Sequence, residues 1–196
     1  CEFLYTNMSL GFCDTAAYPH QPMFNITAGD VTFENVKVMY TGTEATAVEG
    51  STGGADISQL HPPFVQANGT ADIKIDKCEF IDTNTKGIMT YGILAYTSTT
   101  TVTVSNSKID AYNALYSVST DKVSFNNCEL RSTMAIFANS GKPKVTDCTI
   151  YVDDCMLSSG GALPEFKYGS GNNRIYAGSS EVKGSYTVEA GYQLCD

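Results

Sequence analysis

The chain has no tryptophan, only two histidines (His20 and His61) and no Cys-x-x-Cys pair. The scarcity of histidine and the missing pair argue against a zinc site. No apolar run approaches the ~18 residues of a membrane-crossing helix, so a membrane span is not expected. Charged residues are scarce, at 17%, and Arg131 and Arg174 are the only arginines. The twelve basic residues are scattered against 21 acids, giving a net charge of −9 and a pI near 4.6. Neutralising phosphates needs a clustered basic surface, so nucleic acid is excluded as a partner. Long Ala/Leu/Glu/Lys stretches are missing too, which removes the usual material of helices.

What is present leans toward strands. Thr, Val, Ile, Tyr and Phe are frequent, the residues that suit a pleated, half-buried surface. Three short stretches repeat one pattern: "VTVSNSKI" from Val102, "VSFNNCEL" from Val123 and "KVTDCTI" from Lys144. "VTFENVKV" from Val31 and "IKIDKCEF" from Ile73 extend it toward the N-terminus, and "RIYAGSSEV" from Arg174 follows it loosely. Each copy has two alternating inward positions, a turn residue, and two more inward positions. The turn column reads Asn35, Lys77, Asn106, Asn127, Asp147. Asn and Asp tolerate the left-handed backbone of a tight bend. The next column reads Val36, Cys78, Ser107, Cys128, Cys148, small or thiol-bearing residues that suit a crowded bend.

A second motif, "YGILAY", "ALYSV", "AIFAN" and "CMLSS", lies between copies. Each period therefore holds three short strands. One such unit cannot bury its own apolar face, but stacked units form a continuous column. Hairpin signals such as Asn-Gly, which an antiparallel sandwich needs, occur only at Asn68-Gly69.

This pattern resembles the right-handed parallel β-helix, or pectin-lyase-like, superfamily, over about Val31 to Val182. The resemblance implies an all-β fold, a right-handed parallel β-helix of about six coils, each rising by the ~4.8 Å strand spacing. It implies little about activity, because that fold carries lyases, hydrolases, adhesins and structural proteins. Residues 1–30, with Pro19 and Pro22, read as an N-terminal arm or cap, and 31–196 as the β-helix, in one domain overall.

No catalytic constellation stands out. Asp110, Asp121, Asp147, Asp153 and Asp154 are the acids nearest to a common face, and loop or turn roles explain them. No metal or cofactor is expected. The chain begins at Cys1, which suggests a removed leader, and seven cysteines suit an oxidising compartment. Cys1, Cys13, Cys128, Cys148, Cys155 and Cys195 are the disulfide candidates; Cys128 and Cys148 share one column, where a bridge and two free thiols are both admissible. Three Asn-x-Ser/Thr sequons, at Asn7, Asn25 and Asn68, fall outside the aligned strand pairs. The expectation is an extracellular or cell-surface structural protein: a glycosylated, self-associating filament or coat subunit, or an adhesin. The alternatives on the same fold are a carbohydrate-active enzyme (polysaccharide lyase or glycoside hydrolase) and a glycan-binding module.

Overall fold

The computed structural model describes residues 2–5, 8–10, 22–40, 45–47, 63–82, 91–95, 99–117, 122–132, 136–139, 143–151, 169–176 and 192–195. Among these there is no helix, and every strand pair is parallel. None of the described residues forms a helix long and apolar enough to cross a membrane.

One sheet has eight strands, and its spatial order follows the chain. It runs through β1 (Glu2–Tyr5), β4 (Lys37–Tyr40), β7 (Glu79–Asp82), β10 (Lys108–Ala111), β13 (Glu129–Ser132), β16 (Thr149–Tyr151), β18 (Asn173–Tyr176) and β19 (Tyr192–Cys195). The second sheet is built on two long strands, β3 (Phe24–Glu34) and β6 (Pro63–Asp76), which pair along their length. The first half of β6 carries a ladder of β8 (Tyr91–Ala95), β11 (Asn113–Ser117) and β14 (Phe137–Asn139). Its second half carries β9 (Thr101–Ser105), β12 (Val123–Asn126), β15 (Lys144–Thr146) and β17 (Gly169–Ser170). A small sheet pairs β2 (Met8–Leu10) with β5 (Ala45–Ala47).

Successive layers therefore add one strand to each ladder. Period-2 alternation decides which side chains turn inward. In β9 and β12 the burial alternates strictly, so Val102, Val104, Val123 and Phe125 enter the core while Thr101, Thr103, Ser105 and Ser124 stay partly wet. Identical alternation in β10, β13 and β16 stacks Ile109, Leu130 and Ile150 in register, each fully buried. Val104, Phe125 and Val145 form the matching column across the core, also fully buried. Rings join the ladders: Phe64 meets Phe80 at 5.2 Å between centroids, and Phe125 meets Phe137 at 5.7 Å. Each such side chain contributes about 1.5–3 kcal/mol of hydrophobic stabilisation. Gly92 is fixed by close approach, because a Cβ there would stand 2.5 Å from Ile109 Cγ2 and 2.7 Å from the Ala114 carbonyl oxygen.

Residues 2–5 pair with 37–40, and β3 starts at Phe24, where Phe24 and Ile26 pack against the core cluster.

Candidate functional site

The corner between β3/β6/β9/β12/β15 and the eight-stranded sheet is the most regular feature of the molecule. Asn35, Lys77, Asn106, Asn127 and Asp147 all have positive φ, between 50° and 53°. At this single left-handed residue the chain changes direction, and the ladder bonds have to be re-made around it. The N–H groups of Asn35, Lys77, Asn106 and Asn127 donate to carbonyls of the next layer, at Asp76, Ser105, Asn126 and Thr146 (2.9–3.1 Å). Two residues on, the N–H groups of Glu79, Lys108, Glu129, Thr149 and Arg174 donate back to Val36, Cys78, Ser107, Cys128 and Cys148 (2.8–2.9 Å).

The amide between these two takes a side chain as its partner. The Cys78 N–H donates to Ser107 Oγ (3.0 Å), Cys128 N–H to Cys148 Sγ (3.3 Å) and Cys148 N–H to Asn173 Oδ1 (2.9 Å). Each side chain also donates to a carbonyl two residues upstream: Cys78 to Asp76, Ser107 to Ser105, Cys128 to Asn126 and Cys148 to Thr146 (2.6–3.3 Å). Asn173 donates to Val145 instead (3.0 Å). From Cys78 to Asn173 the column is therefore a buried spine of hydroxyl, thiol and carboxamide groups, which can both accept and donate, while Val36 in the first copy can do neither.

Cys78, Cys128 and Cys148 are free thiols here, buried within this spine. For Cys128 and Cys148 the two admissible states resolve to thiols: both sulfurs are committed to corner carbonyls and amides. Holding its proton in the hydrogen bond with Cys148, and then burial, push the Cys128 thiol far up, the same bond lowers Cys148, and desolvation raises Cys78. Neither Cys128 nor Cys78 offers the thiolate that nucleophilic chemistry needs.

Outside the same corner, exposed amides form a second ladder. Asn106 Nδ2 donates to Asp76 Oδ1 (2.7 Å), and Asn127 Nδ2 donates to Asn106 Oδ1 (2.8 Å). Asp147 Oδ1 accepts the Asn172 N–H (2.8 Å). Lys77 holds its place by charge, 3.4 Å from Asp76 and 3.7 Å from Glu34. The expected result at Asn127 follows from its φ of 51°. Asn127→Gly loses only an exposed hydrogen bond and melts close to the parent. Asn127→Val is about 1–3 kcal/mol less stable, because a β-branched residue resists that conformation. Chemical denaturation of the two variants side by side checks this, and equal midpoints refute it.

The acids are not brought together. Asp110 stands on the outer side of the eight-stranded sheet, 3.9 Å from Arg131 Nε, while Asp147 is held at the corner by Asn172. Burial raises the Asp110 pKa, and Arg131 and Lys108 oppose that rise. Arg131 lies over the Tyr151 ring (4.3 Å), which stacks on Tyr176 (5.4 Å). The sequon residue Asn25 is exposed, and Asn68 is half-buried with its Nδ2 donating to Asn25 Oδ1 (3.3 Å). Among the described residues, no group of three or more His, Cys, Asp or Glu side chains could hold a metal ion. Asn7, His20, His61, Asp121, Asp153, Asp154, Cys1, Cys13 and Cys155 lie outside the described residues. Cys195 is placed only as a backbone position of β19, opposite Tyr176.

Sequence reasoning missed Asn173 as a spine member and missed the contact between two sequons. The first was findable, since Asn173 also follows a turn and can accept and donate. The second depends on strand register. Comparison of the chain with protein families, with curated proteins and with solved structures finds no match.

Proposed function

We propose that the chain is a right-handed parallel β-helix of the pectin-lyase-like kind, secreted and displayed at a cell surface or in a coat, where it self-associates end to end. The observation that carries this reading is the order of the eight-stranded sheet, with β1 at one end of its path and β19 at the other. A strand at the end of a parallel ladder presents unpaired N–H and C=O groups to a further strand. Addition of β1 from a second copy to β19 would continue the parallel ladder, by strand addition. Such a contact is heterologous and does not close, so it propagates as a filament. The residues described support a scaffold better than a hydrolase or lyase, since Asp110 is tied to Arg131 and Asp147 to a backbone amide. Sugars at Asn7, Asn25 and Asn68 fit the extracellular setting.

The test is sedimentation velocity at rising concentration, with negative-stain microscopy of the fastest fraction. Wild-type chains should give linear polymers. Deleting residues 1–24, which removes β1, β2 and the first residue of β3, should leave a folded monomer. A wild-type chain that stays monomeric at high concentration overturns the reading.

A further inference from the structure

We infer that Asn25 and Asn68 form one glycan-acceptor position rather than two, and that the folded chain carries its sugar on Asn25. The inference rests on the extracellular reading above and deepens it. In sequence the two sequons, Asn25-Ile26-Thr27 and Asn68-Gly69-Thr70, are 43 residues apart. In the fold they face each other across the β3–β6 pair. Asn25 is opposite Gln66 and Ile26 opposite Ala67, and the register then slips so that Ala28 meets Thr70. The slip sets Asn68 and Gly69 against Thr27, a bulge that re-aims a side chain. Asn68 Nδ2 consequently reaches Asn25 Oδ1 at 3.3 Å.

The two carboxamides are not equivalent. Asn25 uses its oxygen in the contact, and the oxygen survives glycosylation. Asn68 uses its nitrogen, the atom that a sugar would occupy. Asn25 is exposed, with exposed Thr27 completing its sequon, whereas Asn68 is half-buried. The backbone beside Asn68 is held in place, since the Thr99 and Thr100 hydroxyls donate to the Gly69 carbonyl, Thr100 at 3.1 Å. Gly69 itself has φ +68°, and a Cβ there would run into the Thr27 carbonyl oxygen, so the bulge requires glycine at this position. A sugar on Asn68 Nδ2 has to share that atom with the contact to Asn25 Oδ1. A sugar on Asn25 projects from β3, whose pairing among the described residues is with β6 alone.

The modification transfers a glycosyl group from a diphosphate-activated oligosaccharide. The amide nitrogen of Asn25 forms a bond to the anomeric carbon and gives up one proton to a base. The bond from that carbon to the diphosphate breaks, and the diphosphate leaves with the electron pair. No electrons are exchanged with a redox partner. Asn68 keeps both amide hydrogens and continues to donate one to Asn25 Oδ1.

The experiment secretes the whole chain, behind an added signal peptide, from a eukaryotic cell that glycosylates. Sites are mapped by enzymatic deglycosylation in heavy-oxygen water, and intact mass is measured on the folded fraction. The expected result is at most one glycan per chain at the pair, on Asn25. Asn25→Gln and Thr27→Ala should each lose that glycan, while Asn68→Gln loses none. Thermal melts of the three variants should stay within a few degrees of the parent, showing that the readout is occupancy and not folding. Folded chains carrying sugar on both residues, or on Asn68 with Asn25 bare, overturn the inference. Sugar at Asn7 with both members of the pair bare overturns it and leaves the glycoprotein reading standing. No sugar at any of the three overturns both.

Discussion

Phe125→Asp is expected to abolish the fold. Phe125 has no exposed surface, stacks between Val104 and Val145 on neighbouring strands, and meets the Phe137 ring at 5.7 Å. A carboxylate there has no cation or amide within the apolar column. Leaving it charged costs several kcal/mol, and neutralising it still strands a polar group in a dry core. Loss of the ring adds about 3–5 kcal/mol, the usual cost of Phe→Ala in a core. The sum is comparable with the ~5–15 kcal/mol that hold a domain together. Circular dichroism and thermal melting of the purified variant check it. A cooperative melt near that of the parent would mean that Phe125 is not in the core. Thr103→Asp, one strand away on the wet side of β9, serves as the control and should change little.

The columns around Phe125 were readable from the sequence because alternation has a period that sorts side chains without knowledge of the partner strand. Val104, Ile109, Phe125, Leu130, Val145 and Ile150 are all fully buried, as expected, though in two columns on two sheets and not in one. The corner was readable for a related reason. A left-handed residue restricts its own identity, and Asn or Asp recurring at one column marks it, as the φ values at Asn35, Asn106, Asn127 and Asp147 record. Lys77 has the same φ without that chemistry, and only its place in the alignment reveals it. What stayed hidden depends on distant segments. Residues 2–5 and 24–30 carry too little pattern to announce partners at 37–40 and 65–72, so they read as an arm. The Asn25–Asn68 contact needs the slip at Ile26, which no local motif encodes. The column after the turn was legible as small residues, and its hydrogen bonding was not. Crowding and bonding select overlapping residues there, and only the geometry separates them.

That separation gives the second large effect. If the column were selected for apolar packing alone, Cys128→Val with Cys148→Val would cost only the strain of the slightly larger side chains, since Val36 already fills this column in the first copy. The spine predicts otherwise. Valine at 148 removes the acceptor of the Cys128 N–H, and valine at either position removes the thiol donor to a carbonyl, at Asn126 or Thr146. These groups lie in a buried corner between ladder bonds that hold the backbone in place. A buried polar group left without a partner costs about 1–3 kcal/mol, so the double variant should lose about 2–6 kcal/mol. Cys128→Ser with Cys148→Ser keeps an acceptor and a donor at both positions. Ser107 already fills the same role, with its Oγ 3.0 Å from the Cys78 amide and 2.6 Å from the Ser105 carbonyl oxygen. The serine pair should therefore stay within about 1–2 kcal/mol of the parent, the remainder reflecting the smaller oxygen in a space shaped for sulfur. Denaturant unfolding under reducing conditions orders the three proteins, and amide hydrogen exchange locates the cause. Protection at Cys128 should fall in the valine variant and persist in the serine variant. A valine pair as stable as the serine pair would show that the column is a matter of apolar packing, and that the Cys128 amide finds its partner elsewhere.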